Sequence, residues 1–191
     1  MVGLASPLDK TVYTQIMTRK TLKYNRSIIF IVSALAYYTA GLIGLEFAIP
    51  PGFASAVWPA SGVALALIIL LSSKYVIVGT FAASFALNLQ LVFDVHDSLN
   101  WLNTVEPLFI ALGAALQLAA GYVLFRFFLG KKIITDVARN ILIFSLVVVP
   151  FSCLVSASMG TAALAMNNVI SQDAIVFSWF TWWLGDSIGV L

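Results

Sequence analysis

Charge is what this chain has least of. Only 9% of its 191 residues are Asp, Glu, Lys or Arg, against about a quarter in an ordinary soluble domain. So few charges cannot cover a water-facing surface, which excludes an ordinary soluble domain. Cysteine is almost missing too. The single Cys153 rules out an intrachain disulfide and leaves no C-x-x-C pair for a metal or redox centre. His96 is the lone histidine; it sits between Asp94 and Asp97, and a solvated loop histidine is the simpler reading than a metal ligand. There is no G-x-x-x-x-G-K-[ST], no G-x-G-x-x-G and no H-E-x-x-H. The longest stretch between apolar runs is about a dozen residues, too short to hold a separate catalytic domain. An enzyme is therefore not expected, and neither is a cofactor or a nucleic-acid partner.

What the chain has instead is apolar sequence. Hydrophobic residues make up 61% of it, and the mean hydropathy is +1.01. Several runs approach the ~20 residues needed to cross a ~30 Å hydrocarbon core. The expected fold is all-α, a polytopic transmembrane helical bundle of about six spans, near residues 27–47, 58–73, 75–93, 105–128, 141–165 and 175–191. Residues 1–26 read as a polar, mildly basic N-terminal tail and 27–191 as the membrane-embedded domain. A cleaved signal peptide fits poorly, because the first apolar stretch exceeds a 7–15-residue h-region and further spans follow.

The few charges are sorted by position. With the N-terminus inside, all ten Lys and Arg residues fall on the inner side, from Lys10 to Arg26 in the tail, then Lys74, Arg126, Lys131, Lys132 and Arg139. The outer loops carry Asp94, Asp97 and Asp173 and no basic residue. Basic residues are retained on the cytoplasmic side, so both termini are expected there. Tyr24, Trp58, Tyr75, Trp101, Tyr122 and Trp179 mark the span edges, where amphipathic rings favour the headgroup level. The sequon Asn25-Arg26-Ser27 falls on the inner side and is discounted.

Polar residues inside the spans are costly and tend to face a bundle interior or a cavity. Glu46 lies at the outer end of the first span, before Pro50-Pro51-Gly52, which stops the helix and turns the chain back. A tight return would bring Glu46 near Trp58; the plain alternative is a carboxylate in interfacial water. Trp58-Pro59-Ala60-Ser61-Gly62 opens the second span. Pro59 suits a first helical turn, while Ser61 and Gly62 are small enough for another backbone to approach. The free N–H groups of that turn would also suit an anion or a polar ligand group. Asn88, Gln90 and Gln117 read as interhelical hydrogen-bond formers, with Asn88 equally a pocket residue. Asp186 is the sharpest site, mid-span within Trp182-Trp183-Leu184-Gly185-Asp186-Ser187-Ile188-Gly189. Gly185 and Gly189, four apart, make one small face for close helix contact. No Lys or Arg lies at matching depth, so Asp186 is protonated, hydrogen-bonded by Ser, Asn or Trp, or paired with a ligand. The two Trp segments echo each other, each leading an inward-running helix, but too briefly to assert a repeat.

Trp58-Pro59-Ala60-Ser61-Gly62-Val63-Ala64-Leu65-Ala66 and Trp183-Leu184-Gly185-Asp186-Ser187-Ile188-Gly189-Val190-Leu191 together resemble the membrane-associated sensor (MASE) domain, first type. A middle G-to-N-L element is approximated by Gly79 to Asn88-Leu89, with one additional residue. The resemblance covers residues 27–191 and implies the sensory input part of a bacterial signalling protein. It carries over Trp58, Pro59, Ser61, Gly62, Asn88, Gly185 and Asp186. It implies as partners the lipid bilayer, an unidentified small ligand and an attached or partner cytoplasmic module, such as a histidine kinase or a cyclic-di-GMP enzyme. A homodimer is an expected assembly for such a protein. With Glu46, Trp182 and Trp183, these positions form the expected ligand-binding set. Domains of this kind continue past the G-D motif, so a longer parent is expected. The rival reading is a small-molecule-binding membrane subunit of a transporter, which needs no output module.

Overall fold

The computed structural model describes residues 25–49, 54–96, 101–130 and 137–191. The chain is a helical bundle. In order, the helices are α1 (Arg26–Leu45), α2 (Pro59–Leu71), α3 (Lys74–His96), α4 (Trp101–Phe128), α5 (Val137–Ile143), α6 (Val149–Met166) and α7 (Ile175–Val190). A π-helical segment, Phe144–Val148, joins α5 to α6, so that Val137–Met166 is one continuous span. A two-stranded antiparallel hairpin, β1 (Ala48–Ile49) with β2 (Ala54–Ser55), links α1 to α2.

The helices follow from the apolar runs, and their ends follow from local chemistry. Asn25, of the discounted sequon, caps α1 by accepting a hydrogen bond from the Ser27 backbone N–H at 3.1 Å. Pro59 occupies the first turn of α2 as expected. Ser72 takes a left-handed conformation at φ 48° and ends that helix, and α3 starts two residues later. The π segment has a cause in Pro150. Proline brings no N–H to the helical ladder and crowds the carbonyl four residues back, and the ladder widens so that the Val149 N–H bonds Phe144 O.

The packing is that of a membrane protein. Large apolar side chains such as Leu70, Phe127 and Val176 lie on the outside, while Ser33, Thr80, Ser84, Gln117, Ser152 and Ser156 are buried between helices. Small residues let the helices approach without a driving force from water. Gly79 of α3 sits against Phe30 O and Ser33 of α1, and Gly41 of α1 against Leu87 of α3. These contacts advance in the same direction along both helices, so α1 and α3 run parallel. Gly113 meets Met159 and Gly121 meets Ser152, which sets α4 antiparallel to α6. α7 packs on α6 and, on its other side, on α2, closing a ring in the order α1, α3, α4, α6, α7, α2.

Among the described residues, four helical segments are long and apolar enough to cross a membrane: α1, α3, α4 and the Val137–Met166 span. α2 is different. Its 13 residues rise about 20 Å, short of the ~30 Å core. The second span expected at 58–73 is thus a helix at Pro59–Leu71 that covers about two-thirds of the core, entered through the hairpin. α7, at 16 residues, is also shorter than these four.

Arg26, Lys74, Arg126 and Arg139 all stand at one end of the bundle, at the starts of α1, α3 and α5 and in the last turn of α4. Glu46, Asp94, Glu106 and Asp173 stand at the other. The charge sorting expected from sequence therefore holds for these groups in three dimensions. The tail residues 1–24, Pro50-Pro51-Gly52, Asp97 and Lys131-Lys132 lie outside the described residues, as do the side chains of His96 and Trp101.

Candidate functional site

The two Trp segments meet. The extended backbone before α2 lies directly on α7, with nothing between them but glycine. A Cβ on Gly185 would fall 1.9 Å from Ser55 O, one on Gly189 1.9 Å from Trp58 O, and one on Gly62 2.0 Å from Gly189 O. No other residue type fits at such distances. Hydrogen bonds tie the seam. The Trp58 N–H donates to Gly185 O at 3.0 Å, and the Ser61 hydroxyl donates to Asp186 O at 3.0 Å. On the other side Ser55 Oγ lies 2.7 Å from Gly44 O, and the Ala56 N–H donates to Phe47 O at 3.2 Å. Non-helical backbone at membrane depth needs such partners, because lipid offers none.

This geometry revises two expectations. Trp58 does not turn its ring outward to lipid. Its ring lies inside the bundle over Gly41 and Gly44, with Nε1 donating to the Tyr37 hydroxyl at 3.4 Å. The first turn of α2 is not a ligand mouth either, since its Ser61 and Gly62 are committed to α7.

Next to the seam, in the acidic-end half of the bundle, is a cavity of about 100 Å³. Tyr37 and Leu45 of α1, Trp58, Ser84, Asn88, Leu91 and Val92 of α3, Glu106, Ile110 and Ala114 of α4, Ser156 and Leu164 of α6, and Trp182 of α7 line it, with Ser55 and Val169 at its edges. Of the ten residues expected from sequence, Trp58, Asn88 and Trp182 are walls. Pro59, Ser61, Gly62, Gly185 and Trp183 form the framework behind them. The Asn88 amide donates to Ser84 O at 2.8 Å. Trp183 turns away, its Nε1 donating to Pro150 O at 2.9 Å beside the π segment.

Asp186 is 1% exposed and points into the bundle as expected. The Ser156 hydroxyl is its side-chain partner, and Oδ2 has none among the described residues. Ser156 also accepts from Trp182 Nε1 at 3.2 Å. Asp186 thus sits one residue behind the cavity wall, reached through Ser156. Beneath it Gln117 Nε2 donates to Cys153 Sγ at 3.4 Å, a buried interhelical link that matches its expected packing role.

Glu46 stays out. It is exposed at the end of α1, and Gly44, two residues earlier, is what lies under Trp58. Gln90 is also exposed, and it accepts from the Tyr38 hydroxyl. The acidic wall residue is Glu106, which sequence reasoning passed over together with Tyr37, Ser84 and Ser156. The missed signal was Glu106-Pro107, a carboxylate just inside a predicted span. Among the described residues no group of three or more His, Cys, Asp or Glu is placed to hold a metal ion.

A multi-pass bundle with lipid-facing apolar surfaces, a glycine seam and an internal cavity defines an integral-membrane class of helical domain. The chain belongs to the MASE1 family, whose sequence model matches residues 28–191. MASE1 is a membrane-associated sensory domain of signalling proteins, which makes this a membrane sensor of the multi-pass inner-membrane kind. No match is found among curated proteins or among solved structures.

Proposed function

We propose that this chain is a ligand-sensing input domain that passes the state of its acidic-end cavity through α7 to a cytoplasmic output, a histidine kinase or a cyclic-di-GMP enzyme. The observation that carries the reading is the double position of Trp58. Its indole is a cavity wall, while its backbone N–H is bonded to α7 at Gly185. Anything that moves the indole pulls on α7 through a backbone-to-backbone contact with no side-chain slack. A ligand shifts such an equilibrium only by its difference in affinity for the two states. Contact with both Trp58 and Trp182 supplies that difference, because relative motion of α2 and α7 changes the gap between these rings. In this reading the basic end of the bundle faces the cytoplasm, and the carboxyl end of α7 leads there.

The test is a fusion of Leu191, through a continuous helix, to a dimeric diguanylate cyclase module, with cyclic-di-GMP measured in cells. Filling the cavity with Ala114→Phe, or separately with Ser84→Leu, is expected to change output at least threefold at equal membrane abundance. Output equal to the parent fusion in both variants would overturn the proposal.

A further inference from the structure

We infer that the acidic-end cavity takes a small organic cation, an amine whose ammonium group pairs with Glu106 while its apolar part lies against Trp58 and Trp182. The inference rests on the sensor reading above and names the ligand class of the same site.

The walls carry it. Glu106 is the only charged side chain among the described residues that line the cavity, and no described Lys, Arg or His shares it. Its carboxylate is half-buried, with no ion pair or hydrogen bond to another described residue. A carboxylate kept partly from water without a partner selects a cation, and an anion brought beside it would meet like charge at short range. The aromatic faces have the same preference, because a cation is drawn to the negative face of an indole ring.

Two further features extend the argument beyond the wall. Asp186 lies behind Ser156, 1% exposed and with Oδ2 unpartnered among the described residues, so the wall at that hydroxyl brings no basic group to oppose a cation. Around the acidic end the described charged groups are Glu46, Asp94 and Asp173, all exposed, while Arg26, Lys74, Arg126 and Arg139 are held at the opposite end. A region of one sign draws oppositely charged solutes toward it and raises their rate of arrival. The size is modest. At ~30 Å³ of liquid volume per water, the cavity of about 100 Å³ has room for roughly three waters, the scale of a short alkyl amine.

Three probes of one shape separate charge from fit: 3-methylbutylamine, 3-methylbutan-1-ol and 3-methylbutanoate. Binding to the full chain in lipid nanodiscs is read by tryptophan fluorescence. The amine is expected to bind saturably and at least tenfold more tightly than the alcohol or the acid. Glu106→Gln is expected to weaken the amine at least tenfold, and Glu106→Asp, which keeps the charge, to stay within about threefold of the parent. Equal binding of the three probes, preference for the acid, or amine binding unchanged in Glu106→Gln would overturn the cation inference and leave the sensor reading standing. Silence from all three probes would overturn it as well. The sensor reading fails on a different result, unchanged output from the cavity-filled fusions.

Discussion

Replacing Gly185 by alanine tests the seam at its tightest point. The added Cβ would fall 1.9 Å from Ser55 O, about 1.5 Å short of the 3.4 Å at which ordinary contact begins. The obstacle is a backbone carbonyl, fixed by the hairpin, so no rotamer change relieves it. The 55–58 segment and α7 must separate by about that distance. Overpacking of this kind costs ~1–3 kcal/mol. The separation also breaks the Trp58 N–H to Gly185 O bond at 3.0 Å and strains the Ser61 bond to Asp186 O, at ~0.5–1.5 kcal/mol each. Alanine's better helix propensity returns up to ~1 kcal/mol. The net loss is about 2–4 kcal/mol, and at ~2–4 °C per kcal/mol for a chain of this size the thermal midpoint falls by roughly 10 °C. Gly121→Ala is the control. Its new Cβ meets Leu65 Cδ1 at 3.2 Å, the end of a side chain that can give way, so its midpoint should stay within about 2 °C. Both are read by fluorescence-detected size exclusion after heating in detergent. A Gly185→Ala midpoint matching that of Gly121→Ala would refute the backbone seam.

Asp186→Ala is expected to abolish output of the cyclase fusion while membrane insertion continues; normal output would remove Asp186 from the signalling path. Trp58→Ala removes a ring packed on Gly41 and Gly44 and should cost ~3–5 kcal/mol, while Trp58→Phe keeps most of the contact and should lose under half of that by the same thermal assay. Cys153 is fully buried, so a membrane-impermeant maleimide should leave the folded protein unlabelled and label it after denaturation. Against that silent background, a cysteine at exposed Ser171 should be labelled from outside intact spheroplasts. Labelling only after lysis would invert the proposed orientation.

Much of the bundle is legible in the sequence because lipid simplifies the code. Apolar runs mark the helices, and their observed ends differ from the expected ones by a few residues, most at the starts of α4 and of the Val137–Met166 span. The Trp58 and Gly185 motifs were each readable as small faces made for close approach. That they approach one another needed the fold, since nothing local in either segment names its partner. α2, expected over 58–73 and found over Pro59–Leu71, was read nearly in full; composition did not show that it is too short to cross the core alone. The cavity was harder still. Tyr37 and Tyr38 are adjacent and chemically alike, yet the first is a wall and the second is half-buried away from the cavity, with its hydroxyl on Gln90. Only the rotation of α1 decides between them. Ser84 and Ser156 look like packing residues in a run of small side chains. Glu46 drew attention through the prolines that follow it, although Glu106, also followed by proline, is the carboxylate that faces inward.

The short α2 also bears on how the protein is made. A 13-residue helix preceded by extended backbone is a poor candidate for insertion alone, and its short connection to α3 favours delivery of the two as one hairpin. Even then the Trp58 N–H has its acceptor only on α7, at Gly185 O. The Ser61 hydroxyl, within reach of Trp58 O in its own turn, gains its second acceptor 125 residues further along the chain. Until the ribosome has released α7, that backbone is unfinished, and contacts this distant in sequence form late. Completion of the seam is therefore a natural last step of assembly. A nascent chain stalled before α7 would leave the Trp58 N–H unpaired within the bundle, a ready mark for membrane quality-control proteases.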